Sequence, residues 1–182
     1  MLIGITGHTS GIGKLIADHF NVIGFSKSNG YDLTQEDTIA KLITELEKCD
    51  VFINNVFTYT HESEYKHMHI QTELLYTIYN QWVDKSKLII NIGSNTTDGI
   101  KKKIWPYSAA KESLEKANEQ LCYLNNSCSV SMLKLGYVDT ERITNAFPNE
   151  KKILQSEIID SIDFILQRWK NNTKVKEICL LP

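Results

Sequence analysis

Long hydrophobic runs are missing from this sequence. Its longest unbroken apolar stretch is the four residues Ile178 to Leu181, far below the roughly 18 that a membrane-crossing helix needs. Proline is scarce, at positions 106, 148 and 182 only, and no proline- or glycine-rich linker, internal repeat or low-complexity tract divides the 182 residues. One domain spanning 1–182 is expected, because about 100–200 residues is the usual size of one. Neither charge dominates: 20 Lys and Arg stand against 22 Asp and Glu, a net charge of -2. Such a balance gives no global attraction to nucleic acid or to an anionic membrane, so any anionic ligand must be held by a local site. Met1 leads straight into Leu2-Ile3-Gly4-Ile5, with no basic segment and no apolar stretch long enough for a secretory signal; a cytoplasmic location is expected. The four cysteines, at 49, 122, 128 and 179, show neither C-x-x-C nor zinc spacing, which reads as reduced thiols rather than a disulfide framework.

What is present is alternation. Short apolar runs at Leu2–Thr6, Val22–Ser26, Val51–Asn54, Leu88–Ile92, Val130–Leu135 and Glu177–Leu181 read as strands. Between them, 12–34, 35–48, 62–83, 107–124 and 150–169 contain helical periodicity, as in the spacing of Ile39, Leu42, Ile43 and Leu46. Strand and helix in alternation predict an α/β fold, a doubly wound parallel sheet flanked by helices on both faces. Sheets of this kind bind ligands beyond the carboxyl ends of their strands.

Four of the nine glycines fall within the first thirteen residues, and three space as Thr6-Gly7-x-x-x-Gly11-x-Gly13 directly after the first strand. Glycines permit a tight turn and close backbone approach, while the start of a helix offers free N–H groups and a partial positive charge. A diphosphate suits that place. A P-loop does not, since Gly13-Lys14 is followed by Leu15 rather than Ser or Thr.

Thr6-Gly7-His8-Thr9-Ser10-Gly11-Ile12-Gly13 resembles the nucleotide-binding turn of the short-chain dehydrogenase/reductase family, and three later segments agree with that family in order. They are Asn54-Asn55, Ser94 followed thirteen residues later by Tyr107-Ser108-Ala109-Ala110-Lys111, and Leu135-Gly136-Tyr137-Val138-Asp139-Thr140. The resemblance covers most of the chain and implies a short, single-domain member with a three-layer α/β/α Rossmann-like fold that binds NAD(P). It further implies that Gly7, Thr9, Ser10, Gly11, Ile12, Gly13, Asn54, Asn55, Gly136, Val138 and Thr140 line the cofactor, and that Asp32-Leu33 lies against the adenine. A dinucleotide fold distinguishes NAD from NADP near the end of its second strand. There the chain offers Ser26-Lys27-Ser28 and no carboxylate, which favours NADP(H) over NAD(H), with His8 as a second contact.

Tyr107 and Lys111 are four apart, a spacing that puts both on one face of a helix beginning near Pro106. Reducing a carbonyl leaves an alkoxide that must be protonated by an acid whose pKa lies near the working pH. Bringing a tyrosine from about 10 to about 7 takes roughly 4 kcal/mol, at 1.36 per unit, and a neighbouring ammonium supplies part of it. By resemblance, Lys111 also holds the nicotinamide ribose and Ser94 bonds the carbonyl of a small-molecule substrate.

The chain departs from the family in several places. His69 stands where the family has the asparagine of its proton relay, and a histidine can also pass a proton. Leu135 replaces a proline, and Val56-Phe57 replaces Ala-Gly, enlarging side chains beside the expected nicotinamide. His61, His67 and His69 cluster, yet positions two apart diverge on a helix and lack the i, i+4 pairing of a helical metal site, so no metal is expected. Lys101-Lys102-Lys103 falls on a loop expected near the substrate entrance. Little separates Thr140 from the last helix, which predicts a short lid. Extra apolar residues such as Leu74, Tyr76 and Ile78 widen the stripe of helix 62–83, and a homodimer or homotetramer through helices 62–83 and 107–124 is expected. These departures also fit a second reading, a nucleotide-binding or regulatory module of the same fold with little or no catalytic activity.

Overall fold

The computed structural model describes residues 1–57, 69–99 and 106–182. Runs rich in Ile, Val and Leu form the strands β1 (Ile3–Thr6), β2 (Val22–Phe25), β3 (Val51–Asn54), β4 (Leu88–Ser94), β5 (Ser129–Leu135) and β6 (Glu177–Leu180). All neighbours pair in parallel in the order β2-β1-β3-β4-β5-β6. The helices α1 (Gly11–His19), α2 (Glu36–Leu46), α3 (Ile70–Trp82), α4 (Pro106–Cys122), α5 (Glu141–Ala146) and α6 (Gln155–Lys170) connect them.

Because side chains alternate across a strand, each central strand feeds two cores. Val51, Ile53, Leu88, Ile90, Ile92, Leu133 and Leu135 pack with Ile16 of α1 and Ile158, Ile162 and Ile165 of α6. Phe52, Ile89, Val130 and Met132 pack on the other face with Leu42 and Leu46 of α2, Leu74, Ile78 and Trp82 of α3, and Leu114 and Leu121 of α4. The result is the expected doubly wound three-layer α/β/α arrangement, with helices covering both faces of the central strands. Cys49 and Cys128 are buried in it as free thiols, pushed up to about 11 and about 12 by burial.

Several boundaries differ from the sequence reading. Within 12–34 the α-helix is only α1, because Phe20 turns to extended backbone and β2 follows at once. Ser26 is not part of β2: it starts a single 3₁₀ turn at Lys27–Asn29. β4 runs two residues past Ile92, since Gly93 and Ser94 pair with Lys134 and Leu135. α4 begins at Pro106, α6 at Gln155, and α3 is described from Ile70; residues 62–68 of the expected helix lie outside the described residues. α5 was not foreseen. Chain direction diverges at β1, whose helix α1 leads to the edge strand β2, while α2 returns the chain to β3 on the other side. A crevice opens above the carboxyl ends of β1 and β3 at such a switch point.

Candidate active site

The glycine-rich turn sits at that crevice. Gly7 and Gly11 have φ of 70° and 53°, values that L side chains rarely adopt. Gly13 is required for a different reason: a Cβ there would collide with the Gly7 carbonyl oxygen and lie 2.7 Å from Asn55 Nδ2. Asn55 stitches the turn from β3, donating from Nδ2 to Thr6 O at 3.0 Å and Gly7 O at 3.3 Å. The Thr6 hydroxyl accepts from the N–H groups of Asn55 and Val56, each at 3.1 Å. Thr9, Ser10 and Gly11 form the exposed crest, and no described residue lies within 4 Å of where a Gly11 Cβ would stand. Bare backbone, open space and the start of α1 come together here, the features of an anion-binding turn. Ile12 faces inward against the α1/α6 core. The His8 ring occupies the space that a Gly24 Cβ would need, and its buried Nδ1 has no hydrogen-bond partner among the described residues.

At the end of β2, Ser26 and Lys27 sit as expected, yet Lys27 is not alone. Its Nζ lies 3.0 Å from Asp32 Oδ2, so a carboxylate five residues onward in sequence returns to the place where none was expected. Burial alone would raise the Asp32 pKa, but the Thr34 N–H, the Thr34 hydroxyl and Lys27 outweigh it and hold the carboxyl below its usual value. Leu33 is buried in the α2/α3/α4 core, which leaves only its backbone for a nucleotide.

Asn54 and Asn55 have separate tasks. Asn54 is fully buried and belongs to a chain of amides beneath the crevice. Its Nδ2 donates to Gln71 O at 2.8 Å and Asn91 Oδ1 at 2.9 Å, Gln71 Nε2 returns a bond to Asn54 O at 3.0 Å, and Asn91 Nδ2 donates to Asn118 Oδ1 at 3.0 Å. Lys111 ends the chain, donating to Gln71 Oε1 and Ile92 O, both at 2.7 Å. Burial pulls its pKa down to about 7. Gln71 was not singled out from the sequence, although it lies two residues from His69. His69 itself precedes α3 and is exposed; the side chain that reaches Lys111 is the amide, not the imidazole.

Tyr107 and Lys111 do share one face of α4. The Lys111 ammonium lies 5.6 Å from the centre of the Tyr107 ring and 5.8 Å from that of Phe57, and the two rings meet edge to face at 4.8 Å. Both rings present π-faces to the cation. Leu135, by contrast, points into the core, so its replacement of proline repacks the interior.

Ser94 ends β4, buried, and its hydroxyl accepts from Thr96 Oγ1 at 3.1 Å. The turn after it is tied to α4 twice: Ser108 Oγ donates to Thr96 O at 2.9 Å, and Thr97 Oγ1 to Glu115 Oε2 at 2.6 Å. Behind it Lys134 of β5, only 6% exposed, pairs with Asp98 at 2.5 Å and Glu115 at 3.1 Å. Burial works against that charge, but its hydrogen bonds to Asp98 and Glu115 and their charges raise the Lys134 pKa above the usual lysine value. Gly136 donates to Leu180 O at 3.0 Å, Val138 is buried in the α1/α6 core, and Thr140 caps α5 through its hydroxyl. Lys101–Lys103, His61 and His67 lie outside the described residues. Among the described residues no group of His, Cys, Asp and Glu could hold a metal ion, and no helix is long and apolar enough to cross a membrane.

Neither a protein-family model nor a curated protein matches the sequence. Solved structures do match its fold. A 4-hydroxyisoleucine dehydrogenase complexed with NADH has a TM-score of 0.78 at 18% identity, covering 98% of this chain and 96% of that one. An alcohol dehydrogenase from the archaeon Thermococcus sibiricus, complexed with 5-hydroxy-NADP, has 0.76 at 15% identity, covering 98% and 95%. A short-chain dehydrogenase/reductase from Brucella melitensis, a glucose/ribitol dehydrogenase, has 0.74 at 16% identity, covering 99% and 94%. The chain has the fold of the short-chain dehydrogenases and reductases.

Proposed function

We propose that this protein is an NADP(H)-dependent oxidoreductase of the short-chain dehydrogenase/reductase type, interconverting a small-molecule carbonyl and the corresponding alcohol. The observation that carries this reading is the placement of Tyr107 over the buried ammonium of Lys111 on α4, with the Ser94 turn tied to that same helix. A nicotinamide cofactor supplies or accepts the hydride when bound. By this reading its diphosphate would be held at Gly7, Thr9, Ser10, Gly11, Ile12 and Gly13, the turn that Asn55 braces, with Ser26, Lys27 and Asp32 toward the adenosine and Gly136, Val138 and Thr140 completing the lining.

Tyr107 delivers its phenolic proton to the alkoxide oxygen in the reductive direction and removes it in the oxidative one. Lys111 lowers the cost of the phenolate by its charge, more strongly in a site shielded from water than in bulk. Ser94 donates to the carbonyl oxygen and fixes its distance from Tyr107. Gln71 holds Lys111 in place. By the same reading 1–182 is a single nucleotide-binding domain that works in the cytoplasm, as a homodimer or homotetramer through α3 and α4.

One observation favours the second reading, a nucleotide-binding module with little activity. Lys111 directs two hydrogen bonds inward, and Phe57 packs on Tyr107. NADPH oxidation followed against a panel of ketones and aldehydes separates the two. Turnover that is lost in Tyr107→Phe while NADPH still binds supports catalysis, whereas binding without turnover on any carbonyl supports the module.

A further inference from the structure

The 3₁₀ turn after β4, Asn95–Thr97, sets Thr96 between the two groups that the proposed chemistry needs together. Toward β4, Thr96 makes two bonds to one atom: its N–H and its hydroxyl both donate to Ser94 Oγ, at 3.4 Å and 3.1 Å. Toward α4, its carbonyl oxygen accepts from Ser108 Oγ at 2.9 Å, and Ser108 is the residue after Tyr107. Thr97 continues the link, donating to Glu115 of the same helix. A hydroxyl has one proton to give and two lone pairs with which to accept. Thr96 takes up the accepting side of Ser94 twice, and among the described residues Ser94 Oγ donates to none. Its proton is left for a group beyond the turn.

We infer that Thr96 is a positioning residue for the proposed reaction: by donating to Ser94 Oγ it aims the serine's proton at the substrate carbonyl and keeps that donor in register with Tyr107. The inference rests on the oxidoreductase reading above. Without the Thr96 hydroxyl, the Ser94 O–H is free to rotate toward other acceptors of its own turn. A donor that must be reoriented stabilises developing charge on the carbonyl oxygen less than one already aimed at it. Hydrogen bonds in a chain also polarise one another, so a serine that accepts is a stronger donor. Capping the turn would need only the backbone N–H of Thr96, which almost any residue supplies; the second bond to Ser94 needs a side-chain hydroxyl.

The test is a double-mutant cycle of Thr96→Val and Ser94→Ala, read both by urea unfolding and by NADPH-linked turnover of the carbonyl that the wild type reduces fastest. Valine keeps the branched shape and the backbone N–H of threonine and removes the hydroxyl. Thr96→Val is expected to lower kcat by about tenfold or more with KM and NADPH affinity within about twofold of the wild type, and Thr96→Ser to recover most of the loss. In the Ser94→Ala background Thr96→Val is expected to change kcat by less than about twofold, because the group it acts through is gone. The two stability losses should likewise fail to add, since each variant removes the same bond. A Thr96→Val that loses stability but keeps kcat within about twofold of the wild type marks a turn cap alone, and overturns the inference while sparing the oxidoreductase reading. An equal fall in kcat with and without Ser94 does the same. Should Thr96→Val not fold, Thr96→Ala takes its place in the cycle. A wild type that binds NADPH and reduces no carbonyl overturns both the reading and the inference.

Discussion

The ammonium of Lys111 lies 2.7 Å from the side-chain oxygen of Gln71, a residue forty positions earlier on the neighbouring helix. Through Gln71, the lysine is joined to Asn54, Asn91 and Asn118, so a buried cation at the crevice is supported by amide dipoles reaching across β3 and β4 to α4. An amide oxygen accepts a hydrogen bond but cannot itself pass a proton onward. Gln71 therefore positions Lys111 and does not relay protons through α3.

Gln71→Leu removes an acceptor from Lys111 and a donor from Asn54 O, both buried. A loss of about 2 kcal/mol in unfolding free energy is expected, measured by urea denaturation. Gln71→Glu places a negative charge on the ammonium and is expected to raise the Lys111 pKa, moving the pH profile of NADPH-linked turnover to higher pH. An unmoved profile contradicts the contact's role.

Stability should depend on pH through Lys111 in a defined direction. Its pKa is about 7 folded against an ordinary 10.5. Between those values the unfolded chain binds more protons than the folded one, so stability rises with pH across the window. Below it, both states are protonated and the full cost of burying the charge is present. Wild type and Lys111→Met, unfolded in urea at three pH values across that window, should differ in this slope; parallel behaviour contradicts it.

Two glycines of the cradle separate stability from binding. Gly13→Ala drives a methyl into the Gly7 carbonyl and is expected to cost about 2–4 kcal/mol. Gly11→Ala meets no described residue, so its cost is that of the left-handed backbone, about 1–2 kcal/mol. If the open space at Gly11 receives the proposed diphosphate, an added methyl there crowds it, and NADPH affinity should fall by at least about tenfold. Thermal melts and nucleotide titration of the folded variants check both.

What is local in sequence was legible. The strands stood out because buried parallel strands are short aliphatic runs, and the glycine turn after β1 and the shared face of Tyr107 and Lys111 followed from spacing, while Ser94 was marked out by resemblance. Contacts across the fold were not. Nothing in Asn54, Gln71, Asn91 and Asn118 indicates that they meet, and Asp32 was absent from the second strand's end because a closed turn brings it back. α5 was missed because Glu-Arg-Ile-Thr-Asn-Ala buries no side chain and so shows no apolar stripe. The Asp98–Lys134–Glu115 cluster draws on three separate segments.

That cluster fixes the turn following Ser94. Lys134→Met leaves two partly exposed carboxylates facing each other and is expected to cost about 1–3 kcal/mol. Lys134→Arg, which keeps the charge, should recover most of it. Chemical denaturation of both variants reads the difference, and a neutral Lys134→Met contradicts the brace.

The most direct measurement is a titration of the purified wild-type protein with NADPH, followed by the nucleotide's fluorescence. Saturable binding of one NADPH per chain is the expected result, and it upholds the cradle on which the proposed chemistry depends. A folded protein that leaves both NADPH and NADH free in solution contradicts it, and reduces the pairing of Tyr107 with Lys111 to a packing contact.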